Sequence, residues 1–290
     1  MRVLRSLLIT SLLVVGAACG GDDTTPSTEP TTEPTTTEPA PTTEPATTEP
    51  TTTTEPTTVD VRVYFLREER LVIDHREVDG PAVLRGALTA LVAGPSGDLF
   101  TTIPDGTELL DVNLADGTAT VDLSEEFASG GGSLSMTARI AQVVFTATQF
   151  DNVERVVFWL EGAPIEYLGG EGIIMTEPWV RADVARELSG SVIVDTPRPG
   201  DTVTSPFVVT GEADVYEAQF PIEIRRGGEV LAVIAPVTGG AWGDWADFST
   251  TVSVDAEPGP IELVAFDEGG CGDDPECPPV IETVVPLTLG

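Results

Sequence analysis

Between residues 24 and 58 the chain is written almost wholly in Thr, Pro, Glu and Ala, in variants of a TTEP unit, with no aromatic or long aliphatic side chain before Val59. Such a tract cannot bury enough apolar surface to offset the entropy of ordering it, so it is expected to stay disordered. Whatever folds must lie beyond it, where the remaining length suits two domains of ordinary size. The recurrent prolines bias the tract toward polyproline II at about 3.1 Å per residue, a reach on the order of 100 Å if fully extended. It reads as a tether. Its threonines are open to O-linked sugar, which the sequence permits without showing.

What precedes the tether looks like a processing signal. Arg2 and Arg5 supply a positive start, Leu7 to Ala18 is mostly apolar, and the small residues Gly16, Ala17 and Ala18 lead into Cys19. The run falls well short of the roughly 20 residues that a bilayer core requires, and its features are those of a secretory signal peptide. A cysteine directly after the small residues resembles the lipobox of bacterial lipoproteins, in which that cysteine is acylated and becomes the new N-terminus. Gly16 departs from it, standing where the box usually carries Leu or another aliphatic residue. The resemblance implies a signal peptide over 1–18, a lipid on Cys19, a tether over 19–58 and membrane contact through the N-terminal lipid. Ordinary secretion with cleavage nearby is the alternative.

The chain carries a formal net charge of −34, and every segment beyond the signal is acidic. Such a surface repels phosphate backbones and anionic head groups, and no basic stripe interrupts it, so nucleic acid is a poor partner. All 14 basic residues are Arg. With no Lys, a Walker phosphate loop, a Ser-x-x-Lys nucleophile and a Schiff-base lysine are excluded together.

Apart from Cys19, the cysteines are Cys271 and Cys277, in GGCGDDPECPP. In an exported chain two cysteines around a Gly, Asp and Pro turn most simply form a disulfide. The rival is a metal site made with Asp273, Asp274 or Glu276, but zinc sites usually collect four Cys or His ligands, and the only His is the distant His75. No cofactor is expected.

The first folded region, 59–176, opens with VDVRVYF, where Val61, Val63 and Phe65 alternate with polar or amphipathic neighbours as in a half-buried strand. A second strand follows over Arg70 to Val78. Pro81 and Gly94-Pro95 then punctuate a helix whose Leu84, Ala87, Leu88 and Leu91 share one face. Asp116-Gly117, between alternating runs, signals a hairpin. After Gly130 to Gly132, Ser133 or Ser135 could cap a second helix whose buried face is Met136, Ile140, Val143, Val144 and Ala147. VERVVFWLEG supplies a further strand. The order strand, strand, helix, hairpin, helix, strand describes an α/β sandwich, two helices on a largely antiparallel sheet. From 189 to 290 the helical period vanishes and short β-rich runs recur between Gly, Pro and Asp clusters, the pattern of an all-β sandwich of immunoglobulin-like architecture. The whole is α+β.

Val61 to Phe65, LTALVAGP, TTIPDGTELLDVNLADGTATVDLSEEF, TARIAQVVFTATQF and VERVVFWLEGAPI, in that order, resemble the GerMN domain, named from spore-germination proteins. The tail, from SVIVDTPRPGDTVTSPFVVTGEADVYEAQFPIEI through Trp245 and Phe248 to LVAFDE and VVPLTL, is similar to the immunoglobulin-like module that accompanies GerMN in many bacterial envelope proteins. The resemblance implies assembly or signalling in the envelope, around sporulation and germination, with no defining catalytic residues.

The residues agree, since no nucleophile constellation is visible. Nothing motif-like surrounds His75, which reads as a partly exposed strand or turn position. Glu125 and Glu126 read as a polar turn at a strand end rather than as paired glycosidase acids. The acidic turns at Asp111 to Asp122 and Asp273 to Glu276 lack the spacing of a calcium loop. Trp242 and Trp245, in GGAWGDWADF, read first as a cover for the sandwich end and second as an aromatic platform for cell-wall sugar. The expected function is non-enzymatic: a lipid-anchored protein on the extracytoplasmic face of the cell membrane, offering adaptor domains to envelope proteins. A wall-glycan receptor is the alternative.

Overall fold

The computed structural model describes residues 57–170, 172–184, 186–269 and 280–290. The signal peptide, Cys19, all but the end of the tether, and the segment holding Cys271, Asp273, Asp274, Glu276 and Cys277 lie outside the described residues.

β1 (Thr58–Arg67) and β2 (Arg70–Asp79) pair antiparallel in unbroken register. Glu68 and Glu69 close their turn in the left-handed region. A 3₁₀ turn containing Pro81 leads into α1 (Val83–Val92), which buries Ala87, Leu88 and Leu91 and rests Leu84 against the same core. β3 (Leu109–Ala115) and β4 (Thr118–Leu123) turn at Asp116-Gly117, with φ of 50° and 73°, the doubly left-handed geometry of a two-residue hairpin. α2 (Ser133–Ala147) starts directly after Gly132, which holds the cap position in place of Ser133 or Ser135. β5 (Arg155–Leu160) runs parallel to β4, and β6 (Ala163–Pro164) returns antiparallel beside it. A short ribbon of β7 (Tyr167–Leu168) and β8 (Ile173–Ile174) follows. The sheet order is β3-β4-β5-β6, with β1-β2 as a separate two-stranded layer.

The core of this region gathers Val61, Val63 and Phe65 from β1, the apolar face of α1, and Met136, Ile140, Val143, Val144 and Ala147 from α2. These are the faces that the spacing predicts. β1, however, is not half-buried. Tyr64 and Leu66, on its other face, are also buried, in a second cluster with Ala138, Ala141 and Phe145 of α2. A strand reads as one-sided when its other face alternates to polar residues; here that face meets a further layer of protein instead of water.

Past a 3₁₀ turn at Arg181–Asp183 and the four-residue α3 (Arg186–Ser189), the chain becomes all β. β9 (Val192–Thr196), β11 (Phe207–Ala213) and β14 (Ala246–Val252) form one sheet, in the order β14-β11-β9. β10 (Thr202–Val203), β12 (Gln219–Arg226), β13 (Glu229–Thr238), β15 (Gly259–Phe266) and β16 (Glu282–Leu289) form the other, in the order β10-β16-β15-β12-β13. Val209, Phe248 and Val252 from the first sheet meet Phe220, Ile222, Ile261, Leu263 and Leu287 from the second. Phe220 and Phe248 touch edge to face across the gap, with ring centroids 5.1 Å apart. Gly211 is required at the irregularity where β11 pairs with β9, since a Cβ there would lie 2.2 Å from the Ile193 carbonyl oxygen.

No helix among the described residues is long and apolar enough to cross a membrane.

Candidate functional site

Several of the ionisable side chains that the fold buries or half-buries converge where the two modules meet. The outward face of β1 and β2 presents Arg62, Tyr64, Leu66, Leu71 and His75; facing them are Ile193 and Asp195 of β9, Glu212 of β11, and Asp247 of β14. The segment between the modules fills the seam with Val184 and Leu188.

Glu212 is the centre of this network. Its carboxylate accepts a short hydrogen bond from the Tyr64 hydroxyl, one of 2.9 Å from Arg62 Nη1, and pairs with Arg181 Nη1 at 3.0 Å. Arg62 also donates to Asp247 at 2.7 Å and lies 3.7 Å from Asp195. Arg181 ties the linker to both sides: its Nε donates to Thr148 Oγ1 at 2.8 Å, its Nη2 to the Phe145 carbonyl, and its guanidinium stacks 4.6 Å over the Phe145 ring. Burial, and after it the Glu212 carboxylate, push the Tyr64 phenol well above its ordinary range. Desolvation works against the charge of Arg62, yet the carboxylates around it, Glu212 foremost, hold the guanidinium above its usual range. Each of these acids has a cation within reach, an arrangement that fixes the geometry of the groups it joins.

His75 is part of the same seam, its ring nitrogens facing Asp60 and Asp195. It is a partly exposed position of β2, as its sequence surroundings suggest, and what they do not show is its pairing across the seam. Glu125 and Glu126 begin a 3₁₀ turn directly after β4, as expected, and the Glu125 amide donates to Glu161. Asp111 pairs with Arg85, and Asp122 accepts the Gly162 amide. Among the described residues no group of three or more His, Cys, Asp or Glu side chains is placed to hold a metal ion.

The two tryptophans part company, and neither simply covers the sandwich end. Trp245 packs on Phe145 of α2, centroids 5.2 Å apart and rings at 80°, so it belongs to the seam. Trp242 stands 82% exposed at φ 61°, its ring edge to face with Tyr216 at 5.5 Å. A hollow of about 410 Å³ beside it is lined by Ala182, Val184, Arg186 and Asp214. A larger groove, of about 560 Å³, runs along the seam past Arg67, Arg70, Asp98, Asp195 and Arg198.

The seam itself was hidden from sequence reasoning. Arg181, Val184 and Leu188 fall between the two recognised regions, in a stretch too short to show a helical period. Glu212 lies on the outward face of its strand, where an acid ordinarily reads as solvated. The only available signal was an excess of bulky residues, Tyr64 and Leu66, on a face expected to be polar.

An α/β sandwich of two helices and a largely antiparallel sheet, joined through a packed seam to an immunoglobulin-like sandwich, defines a two-module α+β protein. Residues 62–166 match the family described as Germane, sporulation and spore germination, and residues 191–270 match Gmad2, the immunoglobulin-like domain of bacterial spore germination. The chain thus carries a GerMN domain followed by an immunoglobulin-like germination domain. Both families are described by their association with germination and not by a reaction. Among solved structures, the first GerMN domain of the sporulation protein GerM from Bacillus subtilis is 20% identical, covering 43% of this chain and 100% of that one with a TM-score of 0.38. The tandem GerMN domains of the same protein are 12% identical over 68% of this chain and 62% of that one, with a TM-score of 0.39. A candidate lipoprotein from Clostridium perfringens is 24% identical over 44% of this chain and 90% of that one, with a TM-score of 0.34. No curated protein matches the chain.

Proposed function

We propose that this protein is a non-enzymatic, lipid-anchored adaptor on the extracytoplasmic face of the cell membrane, presenting its GerMN and immunoglobulin-like modules as one rigid surface to envelope proteins. The observation that carries the reading is the seam. Tyr64, Arg62, Arg181 and Glu212 are committed to one another there, which supports a role in positioning two modules rather than in turnover. The anchor rests on the apolar run that stops at Cys19, and the reach on the Thr, Pro and Glu tether that follows. Replacing Cys19 with Ala should move the protein out of the membrane fraction, since the acyl chains would supply its anchor. Unchanged fractionation, with no acyl mass on the wild-type N-terminus, would count against the anchor.

The exposed Trp242 favours a second reading, a receptor for cell-wall glycan, because a free indole face can stack on a sugar ring. Retention of Trp242→Ala on isolated cell wall separates the two. An adaptor should be retained like the wild type, whereas a glycan receptor should lose retention with its stability intact.

A further inference from the structure

We propose that His75 is a proton-dependent clasp between the two modules, so that the seam loosens when its imidazolium gives up a proton. Nδ1 faces an oxygen of Asp60 on β1, and Nε2 lies 2.5 Å from Oδ1 of Asp195 on β9. A neutral imidazole has one N–H and one lone pair, so between two carboxylates it must aim the lone pair at an anion. Only the doubly protonated ring donates to both. Asp60 and His75 belong to the GerMN module and Asp195 to the immunoglobulin-like one, so the proton strengthens a bond that crosses the seam. Charge-assisted hydrogen bonds are roughly twice as strong as neutral ones, which sets the scale of what deprotonation removes.

The surroundings sharpen this. The charged groups facing the ring are Asp60 and Arg62 from β1 and Asp195 from β9; Arg62 is in turn held by Glu212 of β11 and Asp247 of β14. Asp74 and Arg76, the flanking residues of β2, pair with each other at 2.7 Å and point to the opposite face of the strand. The side chain of Asp60 is 59% exposed and can turn to water, whereas that of Asp195, at the edge of the groove, is only 9% exposed. Losing the imidazolium charge therefore leaves Asp195 poorly compensated inside the seam.

Burial alone would lower the pKa of the ring, and the hydrogen bonds to Asp195 and Asp60 outweigh it, so the net direction is upward. A histidine raised in the folded state contributes stability that is complete below about pH 6.5, the unperturbed value, and is lost as pH climbs through the folded value. The described residues include no Lys, no Cys and no second His, so His75 is the one described side chain whose type titrates between about pH 6 and 9.

Proton NMR of the intact protein tests this without an assignment problem, since a single histidine gives a single imidazole titration. The folded pKa should exceed 6.5, and Asp195→Asn should lower proton affinity roughly tenfold, one pKa unit. Amide exchange at Tyr64 and Ile193, corrected for its intrinsic pH dependence, should accelerate several-fold from about pH 6 to 8.5 in the wild type and stay level in His75→Gln. A histidine titrating at or below 6.5, an Asp195→Asn variant with unchanged titration, or equal acceleration in His75→Gln would each overturn the clasp. Should either variant fail to fold, the wild-type titration still decides.

Discussion

Phe145 of α2 and Trp245, immediately before β14, meet edge to face across the seam with their ring centroids 5.2 Å apart. Two modules that resemble independent units in sequence thus share an aromatic contact of the kind found inside a single core. The contact yields the first prediction. Trp245→Ala should destabilise the protein by an amount near the lower end of the roughly 3–5 kcal/mol that truncating a buried Trp costs, because its ring is only partly buried. Trp242→Ala, at an exposed position, should stay within about 0.5 kcal/mol of the wild type. Denaturant unfolding of both variants checks this, and a reversed ranking would contradict the placement of the two rings.

Glu212 should be the most sensitive carboxylate of the seam. Glu212→Ala leaves the Tyr64 hydroxyl without its acceptor and takes from Arg62 and Arg181 a shared anion. Breaking a buried pair in this way costs about 3 kcal/mol or more. Combining Glu212→Ala with Tyr64→Phe should cost less than the sum of the two, with a coupling of about 0.5–3 kcal/mol between contacting residues. Additive losses would show that the short hydroxyl–carboxylate contact adds nothing.

Tyr64 links stability to alkaline pH. Its phenol is raised by burial and then by Glu212, so the folded state holds the neutral form more tightly than the unfolded chain does. The resulting contribution is complete below about pH 10, the unfolded value, and is lost as pH rises toward the folded one. Ultraviolet titration should therefore show phenolate formation at Tyr64 coinciding with loss of the fold. Tyr64→Phe should remove that step, and ionisation of Tyr64 in a still folded protein would contradict it.

Cys271 and Cys277 lie outside the described residues, so their pairing rests on the sequence. Mass spectrometry of unreduced peptides from exported protein should find them linked. Closing so short a loop contributes roughly 2–3 kcal/mol in the chain-entropy view, and reduction should lower the melting temperature of the immunoglobulin-like module accordingly. Free thiols at both positions, or stoichiometric zinc in the purified protein, would point to the metal reading instead.

The elements of both modules were legible because each obeys a local rule. Asp116-Gly117 must turn, since two left-handed residues in succession suit a two-residue hairpin. Ala87, Leu88 and Leu91 must face one side, since they recur at the helical period. Val61, Val63 and Phe65 must share a face, since strands alternate. The opposite face of the same strand was misread for the same reason. Alternation says which residues point together, but not whether solvent or protein waits on the other side.

The sequence by itself determined the order and type of the elements, the two modules and the acidity of the chain, because periodicity, turn chemistry and charge are local or additive properties. Only the tertiary structure decided that Arg62, Tyr64, His75, Arg181, Asp195 and Glu212 stand together, that Trp245 is packed in the seam, and that Trp242 is left in the open. Arg62 and Glu212 are 150 positions apart. Whether such residues are solvated ions or a buried pair depends on which surface covers them, and that follows from how two finished modules dock, an outcome set by shape and burial that no local pattern encodes.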